Sequence, residues 1–404
     1  MAAPNSHGLP LPFCAHAAIA AAMQATELRV ALFSGNYNYV RDGPTQALNL
    51  LVGHLMSRGA AVRVYSPVGP RPAFAPTGDL VGVPSFPIPG RSEYRVAIGM
   101  PKSIRRDLAA FAPNLVHVSA PDILGHRAVS YARAHDIPVV ASVHTRFETY
   151  LRYYGAGFLE PAALAILRRF YRRCDAILPP SASMAELLLK QRMNYDIGIW
   201  SRGIDRKIFT PSARSMVWRR SLGIHDDEMV IGFLGRLVLE KGLDVFTAAI
   251  AELQQRGVAH RVLIVGEGPA RDWFAERVPD AVFAGFQQGA DLGRAVASMD
   301  MLLNPSVTET FGNVTLEAMA CGVPVVAAIA TGSSSLVDHG VTGRLVAPDD
   351  IAGFADALQA YCESRDLADD DGAAGEAKSH AFGWEAINQS VLDKYLQVLA
   401  RRGR

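Results

Sequence analysis

The chain has 404 residues, half of them apolar and a fifth charged, which is enough to bury the cores of two ordinary domains and reads as a globular protein. Its four cysteines (Cys14, Cys174, Cys321, Cys362) lie far apart without metal-ligand or redox spacing, so a reducing compartment, the cytoplasm, is expected. The net charge of +1 hides an asymmetry: residues 1–201 carry 20 Lys/Arg against 12 Asp/Glu, and residues 202–404 carry 20 against 27. A basic first half favours an anionic membrane surface or charged substrates, and no nucleic acid is expected among the partners. No stretch reaches the ~18 uninterrupted apolar residues of a membrane-crossing helix.

Residues 1–26 form an extension. Its run LPFCAHAAIAAAM lacks a positively charged start and is interrupted by His16, so a weakly helical or disordered segment is expected rather than a secretory signal, and Met23 offers an alternative start. From there, short hydrophobic runs alternate with helical periodicity. Strands are expected at 28–34, 61–67, 114–120, 137–144 and 175–181, with a helix over 43–59. The pattern restarts after 200–228, giving strands at 229–235, 260–268, 281–286, 301–306, 323–330 and 343–348. Strands buried on both faces and spaced by helices imply parallel sheets. The fold class is therefore α/β, with two doubly wound Rossmann-like domains facing a central cleft: one over 27–202, the other over 203–383. The acidic run DLADDDGAAGEA (366–377) is expected to be a solvated loop. An amphipathic helix over 384–404 is expected to cross back and complete the first domain.

Ligands of such sheets bind at the carboxyl ends of the strands, so the motifs there carry the chemistry. LGRLVLEKG (234–242) sets Arg236 after a strand and Lys241 at the start of the next helix, two cations suited to a diphosphate. VGEGPAR (265–271) is a glycine turn in which Gly266 and Gly268 let the backbone approach a ligand, but it lacks the third glycine of a dinucleotide fingerprint, so no NAD is expected. In TETFGNVTLEAMACGVPVVA (308–327), Phe311, Gly312, Asn313 and Val314 begin a helix whose unpaired N–H groups can donate to hydroxyl or phosphate oxygens. Glu317, a turn further in, can accept from two vicinal hydroxyls. Glu309, ahead of the helix, can meet a second polyol unit, so a nucleotide-sugar fits better than a metal.

Together with GVTGRLVAPDD (340–350), these motifs resemble glycosyltransferase family four, the retaining nucleotide-sugar transferases of GT-B fold, over roughly residues 28–400. The resemblance implies an acceptor-binding first domain and a donor-binding second one. Arg236 and Lys241 would hold the donor diphosphate, Glu317 the ribose, and Glu309 with the backbone of Phe311 to Val314 the transferred sugar. It likewise implies that Gly43 belongs to a flexible loop closing over the phosphates, and that His144 borders the sugar. Retention by front-face return assigns no general base. No metal or other cofactor is expected: Arg236 and Lys241 supply the charge, and Asp369 to Asp371 is read as surface acidity.

For the acceptor, LAILRRFYRRC (164–174) places Leu164, Leu167, Tyr171 and Cys174 on one helical face, flanked by Arg168, Arg169, Arg172 and Arg173; MPKSIRRDLAAF adds Lys102, Arg105 and Arg106. The first domain resembles bacterial enzymes that glycosylate diacylglycerol, akin to sulfoquinovosyl-diacylglycerol synthase. That implies a lipid acceptor, a UDP-sugar such as UDP-glucose or UDP-glucuronate, and peripheral attachment to the inner face of the membrane. Tyr37, Arg41, Arg146 and Tyr150 would then line the acceptor or sugar side. The alternatives are a GDP-mannose-dependent mannosyltransferase, a soluble or polysaccharide acceptor, a nucleotide-sugar epimerase, and a non-catalytic binding protein.

Overall fold

The computed structural model describes residues 24–40, 42–88, 91–146 and 157–403. In chain order the strands are β1 (Arg29–Phe33), β2 (Ala61–Pro67), β3 (Asp79–Val83), β4 (Ser85–Ile88), β5 (Arg91–Ala97), β6 (Leu115–Val118), β7 (Val139–Ser142) and β8 (Ala176–Leu178). They continue with β9 (Val230–Leu234), β10 (Arg261–Val265), β11 (Val282–Gly285), β12 (Met301–Asn304), β13 (Val325–Ala328) and β14 (Gly343–Val346). Two six-stranded sheets result, ordered β3-β2-β1-β6-β7-β8 and β11-β10-β9-β12-β13-β14, and every pairing in them is parallel.

Both sheets are doubly wound in the same order. Strand order reverses at β1/β6 and at β9/β12, and loops diverging from such a switch point leave a crevice at the carboxyl edge. The runs that make the sheets are the Val, Ile, Leu and Ala stretches of the sequence; all four residues of β6, β7, β12 and β13 are buried, as helices on both faces require. The helix Trp384–Arg401 buries Val391, Leu392, Tyr395 and Leu399 against Leu28, Val30, Leu51 and Trp200 of the first lobe.

Two features differ from the sequence reading. Strands β3, β4 and β5 were not anticipated. Their segment is broken by Gly82, Pro84, Pro87 and Pro89, which hides the strand signal, and β4 and β5 form a separate antiparallel hairpin. The acidic run 366–377 is not a loop but part of a helix, Arg365–Ser379. Asp371 is buried there, 2.6 Å from Arg344 Nη1 and accepting from the Tyr361 hydroxyl at 2.5 Å, so it is a core ion pair and not surface charge.

Candidate active site

The second lobe supplies a compact set of ligand-ready groups. After β9 the chain turns at Gly235 (φ +147°), and buried Leu237 anchors the turn while Arg236 projects outward; its guanidinium has no hydrogen-bond or ion-pair partner among the described residues. Gly266 and Gly268 buttress this turn. A Cβ on Gly266 would lie 1.9 Å from the Gly235 carbonyl oxygen, and one on Gly268 would lie 2.4 Å from that of Leu237. Their small size is therefore needed for two backbone turns to touch, a requirement that the sequence reading did not anticipate.

A short 3-10 turn (Leu239–Lys241) then ends at Gly242, whose left-handed backbone packs against the Pro305 carbonyl at the end of β12. That contact carries Lys241 to Glu309: Lys241 Nζ donates to Glu309 Oε1 at 3.0 Å. The other oxygen, Glu309 Oε2, is buried and has no hydrogen-bond partner among the described residues. Burying a carboxylate oxygen without a donor costs about 1–3 kcal/mol or more, which makes the position ready for a ligand hydroxyl. The backbone carbonyl of Glu309 accepts from Gly332 N at 3.1 Å and from Thr331 Oγ1 at 3.0 Å, so the residue is held from behind.

Gly312 adopts φ +94° as the N-cap of the helix Asn313–Ala320, and a Cβ there would stand 3.3 Å from Glu309 Oε2. Phe311 is buried beside Phe382, Val314 is half-buried, and Asn313 is exposed at the helix start. Glu317 follows inside this helix, and its carboxyl has no hydrogen-bond partner among the described residues. Burial, and secondarily the charge of Glu309, push its pKa up to about 8. Donors brought by a ligand would favour its ionised form.

In the first lobe Gly43 is not in a loop. It opens the helix Gly43–Ser57, capped by Asp42 accepting from Thr45 N at 2.8 Å, and a Cβ on Gly43 would lie 2.5 Å from Asn313 Nδ2 across the cleft. Two helix N-termini, each with its dipole directed into the cleft, thus face one another. His144 follows β7 with both ring nitrogens engaged: Nδ1 accepts from Arg202 Nη2 at 2.7 Å, and Nε2 lies 2.8 Å from Ser142 Oγ. Burial, then the charge of Arg202, hold its pKa well below 6.5, so the ring is neutral. Its carbonyl reaches the other lobe, accepting from Thr310 Oγ1 at 2.9 Å.

A serine clasp closes the lobes beside Glu309. Ser181 Oγ donates to the Thr310 carbonyl at 2.9 Å, Ser183 Oγ lies 2.7 Å from Ser335 Oγ, and the Thr331 carbonyl accepts from Ser183 Oγ.

The remaining sequence assignments fare unevenly. Tyr37 is 0% exposed, packed beneath the first sheet with its hydroxyl donating to the Thr77 carbonyl at 2.6 Å, so it does not line the cleft. Arg146 is half-buried two residues beyond His144. Arg41 and Tyr150 lie outside the described residues. The basic helix spans Glu160–Tyr171; Leu164, Leu167, Tyr171 and Cys174 face the core as expected. Arg168 donates to the Gln191 carbonyl, Arg172 to that of Arg192 and Arg173 to Ser130 Oγ, so these three tie the lobe together, while Arg169 and Arg172 remain exposed. The sequence reading missed Arg202, Ser181, Ser183, Thr310 and Thr331, all short polar contacts between segments far apart in the chain.

Comparison with known proteins identifies the family and the fold. A family profile described as Glycosyltransferase Family 4 matches residues 42–207, and one described as Glycosyl transferases group 1 matches residues 228–364. A GDP-mannose-dependent alpha-mannosyltransferase of Mycolicibacterium smegmatis is 33% identical over 93% of this chain and 99% of its own. The chain belongs to glycosyltransferase family 4. Other members it resembles are sulfoquinovosyl transferase SQD2 of Arabidopsis thaliana (29% identity; 78% of this chain, 62% of that one) and alpha-monoglucosyldiacylglycerol synthase of Acholeplasma laidlawii (23%; 78% and 84%). Among solved structures, sucrose-phosphate synthase of Thermosynechococcus elongatus superposes with TM-score 0.77 at 20% identity, covering 93% of this chain and all of that one. Anabaena HepE in complex with UDP-glucose superposes with TM-score 0.68 at 20% identity, covering 91% and 99%. The fold is GT-B, and this family 4 enzyme is a glycosyltransferase that uses a nucleotide-sugar donor.

Proposed function

We propose that the enzyme transfers a hexosyl or hexuronosyl unit, with retention of configuration and without a metal ion, from a nucleotide-sugar, with a UDP-sugar favoured, to a membrane lipid of the diacylglycerol class. The observation that carries the donor half is the Lys241–Glu309 pair, in which one carboxylate oxygen is neutralised and the other is buried without a partner beside the start of a helix. In this reading Glu309 Oε2 accepts from a hydroxyl of the sugar, and N–H groups of the helix start donate to its other oxygens. Arg236 and Lys241 face the diphosphate and stabilise the charge that grows on the departing phosphate oxygen. Glu317 accepts from both ribose hydroxyls. His144 acts through its carbonyl and not as an acid or base.

The acceptor half is supported by the outer face of the Glu160–Tyr171 helix. Phe158 (80% exposed), Leu159, Ala162, Ile166 (59% exposed), Arg169 and Arg172 all face solvent at helical spacing, opposite the stripe that packs on the core. An apolar stripe ending in arginines suits the headgroup boundary of an anionic leaflet. Each large apolar side chain inserted gives about 1.5–3 kcal/mol, and each cation near the surface adds about 1 kcal/mol. No helix among the described residues is long and apolar enough to cross a membrane. The Acholeplasma laidlawii relative, an alpha-monoglucosyldiacylglycerol synthase, adds diacylglycerol as a precedent for such an acceptor.

A second reading, mannosyl transfer from GDP-mannose, is favoured by the full-length similarity to the Mycolicibacterium smegmatis enzyme. One experiment separates these readings: purified protein is incubated with a panel of UDP- and GDP-sugars, lipid extract and EDTA, and products are identified by mass spectrometry. A glycolipid from a UDP-sugar supports the first donor assignment, and one from GDP-mannose the second. Conversion of donor with no lipid product would sink the acceptor assignment, and loss of turnover in EDTA would sink metal independence.

A further inference from the structure

Arg202 stands in the short connection between the lobes: Trp200, two residues before it, packs in the core of the first lobe, and Ile204, two residues after it, packs in that of the second. Its side chain is 5% exposed, yet no carboxylate lies within ion-pair distance among the described residues. The guanidinium donates instead to the carbonyls of Trp200 (3.0 Å) and Ser201 (3.1 Å), to His144 Nδ1 (2.7 Å), and lies over the Trp200 ring. A buried cation held only by neutral acceptors is costly, and it is kept where it fixes something else.

We infer that Arg202 is a positioning residue for glycosyl transfer: it locks the His144 ring in one tautomer, and through that ring holds the His144 carbonyl against Thr310, the neighbour of Glu309. The inference rests on the reading that the sugar sits at Glu309.

A guanidinium can only donate, so His144 Nδ1 must keep its lone pair and the ring proton must reside on Nε2, which donates to Ser142 Oγ. Protonating Nδ1 would set two donors head to head. The groups facing the ring are Arg202 and, through Ser142, His117; His117 in turn contacts the Tyr395 hydroxyl of the last helix, and Trp200 presents its ring 5.4 Å away. Asp42 is the carboxylate that acts on Arg202 from the first helix of the lobe, and the charge of Arg202 reaches it in return. With Nδ1 and Nε2 both taken, the ring cannot turn, and the carbonyl of the same residue is held for Thr310 Oγ1. The connection between the lobes and the loop that bears Glu309 are thereby joined through one histidine.

The test compares wild type with Arg202→Met and Arg202→Lys. Ring nitrogen shifts of 15N-histidine-labelled protein are followed from about pH 5.5 to about pH 8.5, and kcat and KM are measured over the same range with whichever donor the panel identifies. In wild type, His144 keeps one protonated and one bare ring nitrogen throughout. In Arg202→Met the ring loses its single tautomer and its titration moves upward, and kcat falls roughly fivefold relative to wild type, most at the acid end, with donor KM little changed. Arg202→Lys, which restores a donor and a charge, recovers most of the flat profile. A His144 ring that stays neutral in the same tautomer in Arg202→Met, with a kcat profile parallel to wild type, overturns the inference. Should Arg202→Met fail to fold, Arg202→Lys decides through the same ring signals: a kcat that follows the ring's tautomer, kept with it or lost with it, supports the inference, and a His144 ring free to titrate with unaltered kcat overturns it. If wild type transfers no sugar from any donor while its His144 ring is locked, the transferase reading fails and the lock stands.

Discussion

The two faces of the cleft are built on opposite plans. In the second lobe, Arg236, Glu317 and one oxygen of Glu309 have no protein partner among the described residues. In the first lobe the polar groups satisfy one another: Asp42 caps its own helix, and Arg202, His144, Ser142, His117 and Tyr395 form one buried chain of hydrogen bonds. Unsatisfied groups on a rigid scaffold are preorganised for a ligand, whereas satisfied ones hold shape. On the proposed reading the second lobe binds the donor, and the first lobe aligns what has been bound.

That contrast orders the expected effects. Glu309→Gln and Lys241→Met should each lower kcat roughly 10²–10³-fold, as for loss of one preorganised charge at a developing anion, with unfolding temperature little changed. Equal losses from an exposed first-lobe residue such as Arg169→Ala would break the comparison. Next comes Glu317→Gln. Because its pKa is raised to about 8, wild-type affinity for UDP or GDP should rise as pH climbs from 7 to 9 and the carboxylate ionises; the variant should bind roughly tenfold more weakly at about pH 9 and lose this dependence, which calorimetric titration at several pH values will read.

Stability should report the satisfied side. His117, pushed down to about 3 by burial, and His144 are neutral when folded but charge near 6.5 when unfolded. The unfolded chain thus binds more protons below that value, and stability should fall with decreasing pH at up to about 1.4 kcal/mol per pH unit for each histidine, a slope that His117→Gln would reduce in denaturant titrations. Smallest are the surface effects. Phe158→Ser with Ile166→Ser should weaken co-sedimentation with anionic vesicles several-fold at low salt, and Ser183→Ala should raise donor KM about two- to threefold by loosening the clasp.

The donor side was legible because its parts are contiguous. A single stretch, ETFGNVTLEA, contains the carboxylate, the left-handed Gly312, the helix start and the second carboxylate, so pattern and geometry coincide. The alignment side was not, because His144 and Arg202 are 58 positions apart and His117 and Tyr395 are 278 apart, and nothing local marks such pairs. Tyr37 was misplaced for a related reason: an aromatic beside a glycine-rich turn is read equally well as a site residue or as core, and burial decides. Gly266 and Gly268 were found for the right property, absence of Cβ, but the neighbour that requires it is the Arg236 turn.

The division between gripping and aligning is tested most directly by calorimetric titration of wild type and Glu309→Gln with a nucleotide-sugar donor and, separately, with its nucleoside diphosphate. The account predicts that the variant keeps its affinity for the diphosphate and loses the additional affinity contributed by the sugar. Equal weakening for both ligands, or none for either, would contradict it.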